Sequence, residues 1–161
     1  MSELLPFDEW DFPTWVRARR RAMKWTQERA AKAAGIARPN YAAIESGART
    51  ISDEMRERIA ATMAARPGSL LDFRRNDVVG IIEKYGYTNP RVFGSVARNT
   101  DRTDSDIDLL VDDTRTSLLA FRYFTMLCEL ENLLSVPVDV VVDEDHASRT
   151  LERARTEALP L

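Results

Sequence analysis

The segment that most narrows the fold runs from Arg91 to Val111, RVFGSVARNTDRTDSDIDLLV. It reads as an apolar strand over Arg91 to Phe93, a Gly94-Ser95 turn opening a short helix from Ser95 to Arg98, a polar loop, and a second strand from Ile107 to Val111. Successive side chains of a strand alternate faces, so Asp106 and Asp108 point one way while Ile107 and Leu109 point the other, into a core. Two carboxylates on one strand edge suit a hard cation, and the free N–H groups of a turn entering a helix suit phosphate. The pattern therefore predicts a cradle for a magnesium-bound nucleotide.

A third carboxylate belongs with these two. The strand expected over Pro137 to Val142 is apolar except for Asp139, and a charge in a buried strand is costly unless it is paired or bound to metal. If this strand lies beside the Asp106/Asp108 strand, three carboxylates converge, which is what phosphoryl and nucleotidyl transfer needs. The flanking patterns predict helices over Leu70 to Tyr85, stopped by Gly86, over Ser117 to Leu134, and over Ala147 to Ala158, the last amphipathic with basic and acidic residues. Strands alternating with helices give a small α/β or α+β domain, placed over 69–161.

The first half has a different character. Residues 1–70 hold 12 Lys/Arg against 9 Asp/Glu, whereas residues 71–161 hold 11 against 17. Between Pro13 and Thr50 nine basic side chains face only Glu28 and Glu45, a balance that favours phosphate contacts. Pro13 suits a helix start, and Val16, Ala18 and Met23 alternate with Arg17, Arg19, Arg20, Arg21 and Lys24. Thr26 before Gln27 and Glu28 is an N-cap signal, and Gly35 a stop. A third helix follows from Arg38 to Ser46, ended by Gly47, and a fourth over Ser52 to Ala65. Two short helices around a Gly turn form a helix-turn-helix, whose second helix enters the major groove. This all-α bundle is placed over 13–68. Arg66-Pro-Gly-Ser reads as the linker, and residues 1–12, acidic and aromatic, as an arm that folds back on the bundle or docks a partner.

Several classes are excluded. Cys128 is the single cysteine and His146 the single histidine, so one chain holds no internal disulfide, no thiolate cluster and no multi-imidazole site. Cys128 is expected in the core, and His146 at the start of the last helix. The chain has no run of 18 apolar residues and no basic-then-apolar leader, which points to a cytoplasmic protein.

Two families are resembled. Arg20, Thr26-Gln27-Glu28, Ala30-Ala31, Gly35-Ile36 and Ile44-Glu45-Ser46-Gly47 resemble the Xre/Cro type of helix-turn-helix over about residues 13–70. That likeness implies operator contacts by Gln27, Arg38, Asn40 and Ala43, with Tyr41 and Ile44 turned inward. Gly94-Ser95, Ala97-Arg98, Ser105-Asp106-Ile107-Asp108 and the later Asp139 resemble the polymerase-β-type nucleotidyltransferase superfamily, in particular its minimal branch. The likeness implies that Gly94 and Ser95 hold the triphosphate, with Arg98 and Ser105 as further nucleotide-binding residues, and that Asp106, Asp108 and Asp139 hold two Mg ions and carry catalysis. Asn99 stands where Gly is usual after the Arg, and Asn tolerates the left-handed backbone that position asks for. Minimal nucleotidyltransferases resemble antitoxins of toxin-antitoxin pairs, which implies transfer of AMP from ATP to a tyrosine hydroxyl of a HEPN-domain ribonuclease toxin. A homodimer on operator DNA, or a hetero-oligomer with the toxin, is the expected assembly. Two alternatives stay open: a transcriptional regulator whose transferase-like domain only binds nucleotide or partner, and a toxin transferring nucleotides to RNA.

Overall fold

Twelve elements are seen among residues 9–113, 120–143 and 148–161, which the computed structural model describes. Four helices come first: α1 (Phe12–Ala22), α2 (Gln27–Ala33), α3 (Arg38–Glu45) and α4 (Asp53–Thr62). Each of three starts has a side-chain cap that satisfies an otherwise unpaired N–H. Asp11 accepts from Thr14 N at 2.8 Å, Thr26 from Arg29 N at 3.1 Å and Ser52 from Met55 N at 3.3 Å. Val16, Ala30, Ala31, Tyr41, Ile44, Ile59 and Met63 are buried together, so the small side chain of Ala30 lets α2 approach its neighbours closely. The fourth helix ends at Thr62, short of the expected Ala65.

The remaining elements are α5 (Pro67–Lys84), β1 (Tyr87–Phe93), α6 (Gly94–Ala97), β2 (Ile107–Asp113), α7 (Ala120–Leu134), β3 (Val138–Val142), α8 (Arg149–Glu157) and β4 (Leu159–Pro160). They make a four-stranded mixed sheet in the order β3-β2-β1-β4. β2 and β3 are parallel, and β1 is antiparallel to both β2 and β4. Leu71, Val78 and Ile82 of α5 and Met126, Leu130 and Leu134 of α7 cover the face carrying Val92, Ile107, Leu109, Val111, Val138 and Val140. On the other face α8 brings Leu151 and Ala154 against Phe93 and Leu110. Strand alternation places Asp108 on that second, thinly covered face, between Ile107 and Leu109 of the first.

Two expectations are corrected. Arg66-Pro-Gly-Ser is no linker: Arg66 holds the N-cap position of α5 without a side-chain cap bond, and Pro67 sits in the first turn, where the missing N–H of Pro costs nothing. The turn is held by Asp101, which accepts from Gly68 N at 2.9 Å and pairs with Arg66. β1 begins at Tyr87 rather than Arg91, because Asn89 at φ 50° and Pro90 are absorbed as an irregularity between Thr88 and Arg91. The edge strand β4, pairing Leu159 with Val92, is too short to carry a periodic signal. Cys128 is buried as expected. The expected helix start at Ser117, His146, and residues 1–8 of the arm lie outside the described residues.

The basic block of α1 is also split. Arg19 is only 4% exposed, its ring-stacking partner is Trp15, with 5.4 Å from the guanidinium to the ring centroid, and its Nη2 donates to Ser135 O at 3.1 Å. Burial pushes its pKa down to about 10. Arg19 therefore belongs to the packing of α1 on the α/β half, not to a phosphate-facing surface.

Candidate active site

The carboxylates converge as their spacing requires. Asp108 of β2 stands in register with Asp139 of the parallel β3, and Asp106 lies just before β2. Carboxylate oxygens of Asp106, Asp108 and Asp139 all lie within 4.8 Å of one another. Asp106 and Asp139 are exposed and Asp108 is half-buried. The expectation that Asp139 is a buried charge is thus overturned: it projects from the open face of β3 between buried Val138 and Val140, so solvent rather than a core partner hydrates it.

Clustering has an electrostatic consequence. Burial, followed by the neighbouring charges of Asp106 and Asp139, raises the pKa of Asp108 to about 6, and Arg153 and Arg98 oppose the rise. Like charges held this closely disfavour ionisation, and a divalent cation removes that penalty by binding all three oxygens. The donor set is all hard oxygen, which fits magnesium.

The turn beside the triad is built for close approach. Gly94 has φ 68°, and a Cβ there would lie 2.0 Å from Asp108 Oδ2, so no other residue fits. Among the described residues Ser95 Oγ is buried without a hydrogen-bond partner, an orphan that a phosphate oxygen would satisfy. Asn99 is at φ 55°, the left-handed conformation expected of it. Its N–H donates to Val96 O at 3.0 Å, and Thr100 N donates to Ser95 O at 2.9 Å, so the Asn in place of Gly leaves the end of α6 intact. Its Oδ1 accepts from Arg66 Nη2 at 2.8 Å.

These groups share a cleft of about 480 Å³ lined by Phe93, Gly94, Ser95, Arg98, Asp106, Asp108, Arg149, Thr150 and Arg153. Asp139 completes the triad at its edge. Ser105 is not part of the lining: its hydroxyl accepts from Arg102 N at 2.9 Å and closes the loop before β2. Arg98 lines the cleft but also pairs with Glu157. Sequence reasoning missed Arg149, Thr150 and Arg153. Their helical spacing put Arg149 and Arg153 on one face of α8, and nothing local said that this face meets the carboxylates.

On the helix-turn-helix, Tyr41 and Ile44 are buried and Arg38 and Asn40 exposed on α3, with Ala43 half-buried. Asn40 Oδ1 accepts from Arg49 Nη1 at 2.7 Å. Gln27 is half-buried, and its Nε2 donates to Glu45 Oε2 at 2.7 Å. Glu45, 2% exposed, also pairs with Arg20 at 2.7 Å, while its carbonyl accepts from Arg17 Nη2 at 2.8 Å. Glu45 thus fixes the start of α2 against α3, and presents Gln27 in one orientation.

Residues 16–67 match the helix-turn-helix family model, and residues 87–157 match that of the polymerase beta nucleotidyltransferase domain. A solved structure described as a candidate minimal nucleotidyltransferase is 39% identical, covers 58% of this chain and 95% of that one, and superposes with a TM-score of 0.52. A crystal structure of a toxin-antitoxin with AMP-PNP is 20% identical, covers 53% of this chain and 69% of that one, and has a TM-score of 0.47. No curated protein sequence matches the chain. Among the described residues no helix is long and apolar enough to cross a membrane.

Proposed function

Because the chain belongs to the minimal nucleotidyltransferases of the polymerase-β superfamily and carries a helix-turn-helix ahead of that fold, we propose that it transfers AMP from Mg-ATP to a hydroxyl group and binds operator DNA. The single observation that carries the catalytic half is the convergence of Asp106, Asp108 and Asp139 within 4.8 Å beside the Gly94-Ser95 turn. Magnesium, as two ions held by the triad, would supply neutralisation of the triphosphate and acidification of the attacking hydroxyl. Ser95 donates its orphaned hydroxyl to a phosphate oxygen. Gly94, lacking a side chain, lets phosphate and Asp108 share the space. The acceptor oxygen bonds the α-phosphorus as the bridging α–β P–O bond breaks; pyrophosphate leaves with that electron pair, and the hydroxyl proton passes to Asp139 or to solvent. Arg98 supports the loop and the phosphates.

The acceptor we propose is a tyrosine of a HEPN-type ribonuclease toxin, with the chain acting as the antitoxin. Two features support it: the likeness to a minimal nucleotidyltransferase, a branch whose resemblance to antitoxins implies such an acceptor, and the fusion to a DNA reader suited to autoregulation. The division of labour falls at about 13–68 for DNA and 69–161 for transfer. Gln27, Arg38, Asn40 and Ala43 are the proposed operator contacts, with Arg reading guanine and Asn adenine.

The experiment is label transfer. The full chain is incubated with MgCl2, α-labelled ATP and a HEPN-domain ribonuclease as acceptor, and the acceptor's mass and label are followed. Label and a mass gain of one or more AMP groups are expected with wild type, and neither with Asp106→Ala/Asp108→Ala. Normal transfer by that variant would refute the assigned roles. Label appearing on RNA instead would replace the protein acceptor.

A further inference from the structure

The cleft has a wall for which the triad does not account. Three carboxylates repel a polyanion, and without metal a triphosphate would enter against their field. Facing them, α8 presents Arg149, Thr150 and Arg153. Arg149 and Arg153 are four residues apart on a helix and so share one face, with Glu157 a further turn along. Glu157 is a tie between elements: Arg153 Nε donates to its Oε1 at 3.0 Å, and Arg98 of the α6 turn donates to its Oε2. It holds α8 to α6 and turns both guanidinium groups along the cleft. Arg149, at the head of this row, is exposed and forms no ion pair among the described residues. An exposed arginine with no ion pair among the described residues, on the wall of a cleft and in line with a second, is matched to an anion carrying several oxygens.

Resting on the nucleotidyl-transfer reading, we infer that Arg149 and Arg153 form the binding wall for the β- and γ-phosphates, the part of the nucleotide that leaves as pyrophosphate. Glu157 is a positioning residue for Arg153 and Arg98. The α-phosphate and the attacking hydroxyl stay at the triad and Ser95. The wall thus separates two tasks: the triad and turn act on the phosphorus that is attacked, and α8 holds the group expelled.

The test is calorimetric titration of the full chain in MgCl2 with ATP, AMP and inorganic tripolyphosphate. Arg149→Ala and Arg153→Ala are each expected to weaken ATP and tripolyphosphate about tenfold, and the pair on the order of a hundredfold, as loss of charge-assisted hydrogen bonds gives. AMP affinity stays within about twofold, and Lys at either position restores part of the loss. Both sites are exposed, so thermal unfolding should be unchanged. Glu157→Gln weakens ATP in the wild-type background, and that effect shrinks in Arg153→Ala, where only Arg98 is left for Glu157 to position. ATP binding equally tight in wild type and Arg149→Ala/Arg153→Ala would overturn the wall, whether or not transfer persists. Wild type that binds tripolyphosphate through these arginines yet labels no acceptor keeps the wall and removes the transfer reading.

Discussion

Asp108→Asn isolates the electrostatic cost of assembling the triad. In the folded protein the carboxyl titrates near 6 against an ordinary value of 3.8, so the folded state binds the extra proton between about pH 4 and pH 6. A raised carboxyl pKa means that stability falls as pH rises through that window. A rise from 3.8 to about 6 corresponds to about 3 kcal/mol. The cleft is open to water, and screening cuts the usable figure to about 1 to 2 kcal/mol. Asn keeps the shape and never ionises. In EDTA, Asp108→Asn should melt about 2 to 8 °C above wild type at pH 8, taking about 2 to 4 °C per kcal/mol for a chain of this size. The difference should shrink toward zero by pH 4, where wild type is itself protonated. MgCl2 at pH 8 should then raise wild type, whose three carboxylates bind it, and leave the variant nearly unchanged. Melting curves across pH, with and without Mg, decide it. A gain that is the same at pH 4 and pH 8, or equal stabilisation of both proteins by Mg, would refute the like-charge reasoning.

Other perturbations test other parts. Gly94→Ala forces a Cβ to within 2.0 Å of Asp108 Oδ2 at φ 68°; a loss of about 1 to 3 kcal/mol by denaturant titration and abolished transfer are expected, and wild-type behaviour would show that the turn is not fitted to the triad. Arg38→Ala/Asn40→Ala should abolish the operator gel shift while leaving nucleotide binding intact; a persisting shift would move the contacts elsewhere. Operator affinity should fall steeply with salt, since phosphate contacts release counterions. Arg19→Met should change stability by no more than about 1 kcal/mol, because among the described residues Nε and Nη1 are buried without partners and a matched apolar group is close to neutral at such sites; a loss above about 3 kcal/mol would mean the guanidinium is worth more than its bond to Ser135.

What was legible in the sequence is what strand alternation and spacing dictate locally. Asp106 and Asp108 had to share a face, Ile107 and Leu109 had to be core, and all four are so placed. Thr26 announced its helix through a cap chemistry that needs only three residues of context. Asn99 was legible as a left-handed residue because few others adopt that backbone. What failed was non-local. That Asp139 lies beside Asp108 depends on a parallel pairing between segments thirty residues apart, which the sequence offered only as a condition. That Asp139 is exposed depends on how far α8 extends over the sheet. Pro67 and Gly68 looked like a break because both punctuate chains, yet Asp101, far along the chain, caps them into a helix.

Arg19 shows why charge misled at the join between the two halves. A basic run on a helix reads as one solvated surface, but the run spans more than a turn and so points in every direction. Arg17 and Arg20 turn toward Glu45 and the helix-turn-helix, while Arg19 turns the other way, to Ser135, four residues before Asp139. Ala22 and Met23 pack in the core of the α/β half, and Met23 also touches that of the bundle. Arg74 of α5 closes the end of α1 by donating to Ala22 O at 3.1 Å and to Arg21 O. One helix is therefore built into both cores. Composition changes sign near Pro67 because solvent-facing charge changes there; packing does not, because the side chains that join the halves are the ones composition counts as surface.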